Sequence, residues 1–176
     1  MRGLFVTLTI FMPDVALAQT KDMCALLANN PSWSDSLKVA QDQWSISPGA
    51  VLAIIDQESR FNAQARGANA GGPNPRRNFG YAQANVQTWN WFLRDTGKAA
   101  GARTDFALSV DFVGWHFAKM ERRFRISRSN VSAHYLVYKM GEGGYQRGAS
   151  TRARGLANRI AERAHTINAQ LTACGF

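Results

Sequence analysis

The sequence predicts a mostly α-helical fold for a single domain within a chain of 176 residues. Apolar residues recur at spacings of three and four in almost every segment after Gln19, as they do on one face of a helix. Ser, Asn or Asp precedes most of these segments, where its side chain can cap the first helical turn. No segment alternates apolar and polar residues as a half-buried strand does. A long irregular stretch, 62–78, is rich in Gly, Asn, Pro and Arg, and it could hold a small hairpin.

Seven helices are expected, and most of them have a candidate cap and an apolar stripe. The first is short and contains Cys24, and glycines at 97 and 141 are expected to end the fourth and the sixth. In chain order the predicted first residues or caps are Asp22, Ser34 or Ser36, Ser47, Asn85, Thr104 or Asp105, Ser129 or Asn130, and Ser150.

Residues 1–18 have the features of an export signal. Arg2 supplies a positive charge, residues 4–12 form a short apolar run, and Ala16-Leu17-Ala18 is a cleavage signal. The apolar run is too short to span a bilayer. We therefore expect an exported, periplasmic protein whose domain occupies 19–176, with no stable membrane anchor.

The charge and the cysteines agree with export. A formal net charge of +9 favours an anionic partner, either nucleic acid, anionic lipid or an acidic wall polymer, and export disfavours nucleic acid. Cys24 and Cys174 are expected to pair in an oxidising compartment. The histidines and cysteines show no metal-ligand spacing, so neither a metal nor another cofactor is expected.

The third predicted helix carries the candidate catalytic residue. Val51, Ile54 and Glu58 follow at helical spacing, so Glu58 lies on the apolar stripe, whereas Asp56 and Gln57 point elsewhere. Partial burial favours the protonated form of a carboxyl group, which is the form that a general acid needs. The alternative is a Glu that turns to solvent or pairs with the nearby Arg60.

Three short segments stand out in order along the chain: Glu58-Ser59, then Gly-Tyr-Ala-Gln at 80–83, then Val-Tyr-Lys-Met-Gly-Glu-Gly at 137–143. Together they resemble the motifs of the soluble lytic transglycosylase family. That family has Glu-Ser at the end of a core helix, then Gly-Leu-Met-Gln, then Ala-Tyr-Asn-Ala-Gly-Pro-Gly. The resemblance covers about 44–148, and each segment alone is a weak signal.

The resemblance implies a lysozyme-like helical fold with the irregular stretch beside the cleft, and cleavage of peptidoglycan glycan strands. Glu58 would be the catalytic acid and base that forms a 1,6-anhydromuramyl product. Tyr138 would hydrogen-bond Glu58 or the sugar. Gln83, with the backbone around Tyr81, would contact the N-acetyl group of the sugar, and Ser59 would lie near the floor of the cleft.

Two departures from the family pattern leave alternatives open. Lys139 replaces a neutral Asn, so it could act on Glu58 or bind a substrate carboxylate. Glu142 replaces Pro, and a second carboxylate could activate water, as in a hydrolytic muramidase. A third hypothesis is an inactive binding or scaffold module of a secretion or conjugation apparatus.

Overall fold

The computed structural model describes residues 21–67 and 78–176, and the predicted mostly helical, lysozyme-like fold is confirmed within them. The predicted export signal, 1–18, lies outside the described residues. The described part contains seven helices: α1 (Met23–Ala28), α2 (Pro31–Trp44), α3 (Pro48–Ser59), α4 (Val86–Asp95), α5 (Phe106–Phe124), α6 (Val131–Gln146) and α7 (Thr151–Ala173).

Most helix starts are those that the caps predict. In each case the side chain of the cap accepts a hydrogen bond from the backbone N–H three residues later, which satisfies one of the unpaired donors of the first turn. The residues that do so are Asp22, Ser47, Asn85, Asp105, Asn130 and Ser150.

Two predicted boundaries are wrong. Helix α2 begins at Pro31 rather than after Ser34 or Ser36, because proline suits the first helical position, where no N–H is needed. Helix α6 does not end at Gly141. That residue interrupts it with φ 69° and ψ 168°, and the helix then resumes through Gln146. Gly141 is therefore a kink that turns the last part of α6 in a new direction.

Helix α3 forms the centre of the domain. All its residues from Pro48 to Asp56 are buried, and it packs along α7, while α2 packs along α5 and α6 along α7. The prediction that Asp56 points away from the core is wrong. Its side chain is 6% exposed and pairs with Arg163 at 2.8 Å and Lys21 at 3.3 Å. A buried carboxylate requires such partners.

The connection from α3 to α4 returns on itself beside the end of α3. Residues 68–77 lie outside the described part, and the arms on either side of them are paired. An isolated antiparallel bridge joins Arg66 to Phe79, and a second joins Phe79 to Ala84. Gly80 has φ +79°, and a Cβ there would lie 1.9 Å from the carbonyl oxygen of Arg103. Only glycine fits this turn.

A disulfide joins Cys24 to Cys174, as the sequence predicts, with a Cα–Cα distance of 6.3 Å. It ties α1 to the end of α7 and closes a separation of 150 residues. Cross-links over long loops restrict the unfolded chain most in the chain-entropy model. In the described ranges, no helix is both long and apolar enough to cross a membrane.

Candidate active site

Glu58 lies in the last turn of α3, where the buried helix reaches the surface. Its side chain is only 6% exposed. The hydroxyl of Tyr135 donates a hydrogen bond to Oε1 at 2.7 Å, and Nζ of Lys139 lies 3.5 Å from Oε1 and 3.4 Å from Oε2. Both contacts come from α6. Among the described residues, Glu58 therefore forms an ion pair with Lys139 and not with the nearby Arg60.

Tyr135 is the main residue of this site that sequence reasoning missed. It lies on the apolar stripe of α6 and is almost fully buried. Burial, together with the charge of Glu58 and the hydrogen bond to it, raises the pKa of the Tyr135 hydroxyl. The hydroxyl therefore keeps its proton and acts as a donor. Its spacing of three from Tyr138, which puts both rings on one helix face, was the available signal.

Tyr138 does not donate a hydrogen bond to Glu58, which was the first of its two expected partners. Its hydroxyl donates a hydrogen bond to the carbonyl oxygen of Ala82, and the hydrogen bond to Glu58 comes from Tyr135 instead. Burial raises the pKa of Tyr138, so it too remains a donor. The ring also lies 4.9 Å from that of His116 on α5. Tyr138 thus fixes the 80–83 segment against α6, beside the acid.

Gln83 organises the turn that carries the second motif. Its Nε2 donates to the carbonyl oxygens of Ala65 and Gly80, each at 2.9 Å. The side chain is buried and links the two arms of the α3–α4 connection. The amide nitrogen is therefore used inside the protein, and Gln83 lines the cavity described below.

The other two motif residues point into the protein. The Ser59 hydroxyl donates to the carbonyl oxygen of Ile55 at 3.0 Å, one turn earlier in α3. The ring of Tyr81 makes edge contacts with Trp33 at 5.7 Å and Phe106 at 5.4 Å. Burial raises the pKa of Tyr81. Both side chains therefore make contacts within the protein, Ser59 within α3 and Tyr81 against aromatic rings.

A cavity of about 360 Å³ opens beside Lys139, between α4, α5, α6 and the 80–83 segment. It combines polar groups with aromatic and apolar walls, as small-molecule sites generally do. The residues that line it are Asn78, Gln83, Ala84, Asn85, Thr88, Trp91, Phe112, His116, Met120, Val137, Tyr138, Lys139, Met140, Gly141 and Glu142.

Glu142 lies on the wall of the same cavity, just after the Gly141 kink. Its carboxylate is 2.5 Å from Nε of Arg123 on α5, and its side chain is 30% exposed. The two carboxylates of the region are therefore held in different ways. Glu58 is nearly enclosed and contacts a tyrosine and a lysine, whereas Glu142 forms a close ion pair with an arginine.

The site thus consists of an enclosed carboxyl group at the end of the buried central helix of a helical, lysozyme-like domain, and of a cavity beside the lysine that contacts this carboxyl group. The model of the transglycosylase SLT domain family matches residues 4–174, and the chain belongs to that family. Neither the search of curated proteins nor the search of solved structures found a match. Membership implies transglycosylase-type cleavage of glycosidic bonds in peptidoglycan, which lies outside the cytoplasm.

Proposed function

We propose that the protein is an exported, periplasmic lytic transglycosylase that cleaves the β-1,4 bond between N-acetylmuramic acid and N-acetylglucosamine. The product would carry a 1,6-anhydromuramyl end, and the role would be local remodelling of the cell wall. The observation that supports this is the setting of Glu58, a nearly enclosed carboxyl group at the end of α3 that receives the Tyr135 hydroxyl at 2.7 Å.

The proposed reaction uses Glu58 twice. Protonated Glu58 gives its proton to the glycosidic oxygen, and the bond from that oxygen to the anomeric carbon of the muramyl residue breaks. The carboxylate then takes the proton of the muramyl 6-hydroxyl, whose oxygen bonds to the anomeric carbon and closes the anhydro ring. Glu58 ends protonated, so the proton count closes without water. Tyr135 would stabilise the intervening carboxylate by its hydrogen bond.

One carboxyl group suffices because the nucleophile belongs to the substrate. A hydrolytic glycosidase ordinarily needs a second carboxylate to activate water or to attack the anomeric carbon. Glu142 is the candidate for that role in the alternative function of a muramidase, because it lines the cavity beside Lys139, the lysine that contacts Glu58. Its close ion pair with Arg123 favours the transglycosylase, since the arginine stabilises the carboxylate and occupies one of its oxygens.

The partner that follows is the peptidoglycan glycan strand. The basic surface suits the carboxylates of its peptide stems, with a net charge of +9 over the chain. Local wall opening for a secretion or conjugation apparatus is the wider role that we propose.

The test is release of soluble fragments from purified sacculi by three single-charge variants. Glu58→Gln keeps the size of the side chain and removes the acid, so we expect release to fall at least about a hundredfold. Glu142→Gln should retain most activity. Glu162→Gln makes the same change on an exposed position of α7 and is the control. Undiminished release by Glu58→Gln would contradict the proposal, and loss of release in Glu142→Gln with reducing-end products would favour the muramidase. No release by any protein would favour the scaffold module.

A further inference from the structure

Lys139 joins the catalytic carboxyl group to the cavity. Its Nζ lies 3.5 and 3.4 Å from Oε1 and Oε2 of Glu58, and its side chain also lines the cavity. Both distances exceed the roughly 2.7–2.9 Å of a strong charged hydrogen bond. An ammonium group has three N–H donors, so the two contacts with Glu58 leave at least one donor to another acceptor. The lysine side chain is 50% exposed, so a ligand in the cavity can reach that donor.

The other ionisable groups on the wall of the cavity do not compete for this ammonium group. The carboxylate of Glu142 is 2.5 Å from Nε of Arg123, which offsets its charge within the protein. Burial lowers the pKa of His116 to about 3 and raises the pKa of Tyr138, so both side chains are neutral near pH 7. Among the described residues that line the cavity, Lys139 is therefore the cation that a ligand meets.

Two neutral side chains add hydrogen-bonding capacity to the same wall. Asn85 uses Oδ1 to accept from the backbone N–H and the hydroxyl of Thr88, and its Nδ2 has no partner among the described residues. Nδ1 of His116 is buried and also lacks a described partner. Buried polar atoms are rarely left unpaired. The amide and the neutral imidazole can both donate, and the cavity therefore favours a ligand rich in acceptors, above all a carboxylate.

We propose that the cavity binds a carboxylate of the peptide stem of peptidoglycan, and that Lys139 is the residue that selects it. The proposal rests on the proposed function and names the part of the substrate that enters the cavity. Where peptidoglycan carries stems, the lactyl carboxyl of the muramyl residue is bound as an amide, so the free carboxylates belong to the stems. Lys139 then bridges the stem carboxylate and Glu58, which places the muramyl residue beside the acid.

The experiment measures binding in the Glu58→Gln variant, in which the ligand is not cleaved. The ligands are soluble peptidoglycan fragments with free stem carboxylates and the same fragments after carbodiimide amidation, titrated by calorimetry. We expect the free-acid form to bind about tenfold more tightly, a difference typical of one charge-assisted hydrogen bond. Adding Lys139→Met should abolish the difference. Adding Lys139→Arg should keep it, because the charge is kept.

The matched control adds Lys98→Met to the Glu58→Gln variant. It removes the same charge from a lysine that pairs with Asp111 at 3.1 Å and does not line this cavity. The preference for the free-acid form should persist. A preference that survives Lys139→Met, or one that both lysine variants reduce equally, would overturn the proposal, and so would the absence of any preference in Glu58→Gln itself.

A third ligand distinguishes the two sources of a carboxylate in the substrate. Fragments freed of their stems by an amidase carry a carboxylate on the lactyl group of the muramyl residue instead. We expect them to bind more weakly than the stem-bearing fragments. Equal binding with the same dependence on Lys139 would assign the cavity to the lactyl carboxylate and overturn the assignment to the stem.

Because the titrations need no turnover, the carboxylate site and the proposed function can fail separately. If wild type releases no anhydro product from sacculi while the preference persists and depends on Lys139, the site stands and the proposed function alone fails. An active protein without the preference would leave the proposed function in place and overturn the site.

Discussion

Two buried histidines should make the domain lose stability at mildly acidic pH. His116 is 8% exposed and His134 is fully buried. Burial lowers the pKa of His116 to about 3 and that of His134 to about 4. Both are neutral in the folded protein at pH 5, whereas in the unfolded chain they titrate near the ordinary value of about 6.5.

The sign follows from proton uptake. Below pH 6.5 the unfolded chain binds protons that the folded protein does not, so the free energy of unfolding falls as the pH falls, until the folded pKa values are reached. At pH 5 each histidine contributes a loss of about 2 kcal/mol, and the two together about 4 kcal/mol, relative to pH 7.5. Carboxylates also titrate in this range, so a variant is needed to isolate the histidines.

His134→Phe provides the comparison. The imidazole stacks on Phe117 with ring centroids 4.1 Å apart and 12° between the planes, and a phenyl ring can keep that contact without titrating. Urea unfolding of both proteins at pH 7.5 and 5.0 gives the two losses. We expect the variant to lose about 2 kcal/mol less than wild type. Equal losses in the two proteins would refute the argument that His134 is buried in its neutral form.

Two further stability predictions come from the core and from the turn before α4. Asp56→Asn keeps the shape of the side chain but leaves Arg163 and Lys21 without their carboxylate. Because water can solvate both cations, which are about 40% exposed, we expect the free energy of unfolding in urea to fall by only about 2 kcal/mol. Exposed Asp42→Asn is the control, with a change within about 0.5 kcal/mol, and equal effects would contradict the buried pair. Gly80→Ala should cost at least about 2 kcal/mol more than Gly97→Ala, because both glycines have positive φ but only Gly80 has backbone within 4 Å of the added carbon. Similar thermal midpoints in the two variants would show that the close approach at Arg103 is not a constraint.

The helices were predictable because their signals are local. A cap such as Ser47 or Asn130 satisfies a donor only three residues away, and the sequence contains both partners. The start of α2 was missed because the prediction relied on a capping side chain, which this helix lacks. Asn30 makes no side-chain cap there, so the helix start depends on Pro31 rather than on a capping hydroxyl.

The contacts within the site were less predictable because they join distant parts of the chain. The hydrogen bond from Tyr135 to Glu58 spans 77 residues, and a tyrosine on an apolar stripe looks like any core residue until α6 is placed against α3. Asp56 was misplaced in the same way, since its partner Arg163 lies 107 residues further along. The family motif indicated that Tyr138 contacts the acid, but its hydroxyl donates to the carbonyl oxygen of Ala82 instead. Tyr135 and Tyr138 share one helix face, three residues apart, so the sequence alone could not decide which of them contacts Glu58.

The central claim is that Glu58 acts alone on a substrate-derived nucleophile. Digestion of purified sacculi in H₂¹⁸O, followed by mass spectrometry of the released fragments, tests it directly. We expect fragments one water lighter than the corresponding reducing muropeptides, without ¹⁸O at the muramyl end, and none from Glu58→Gln. Fragments with a reducing end that carries ¹⁸O would contradict it, because water would then be the nucleophile.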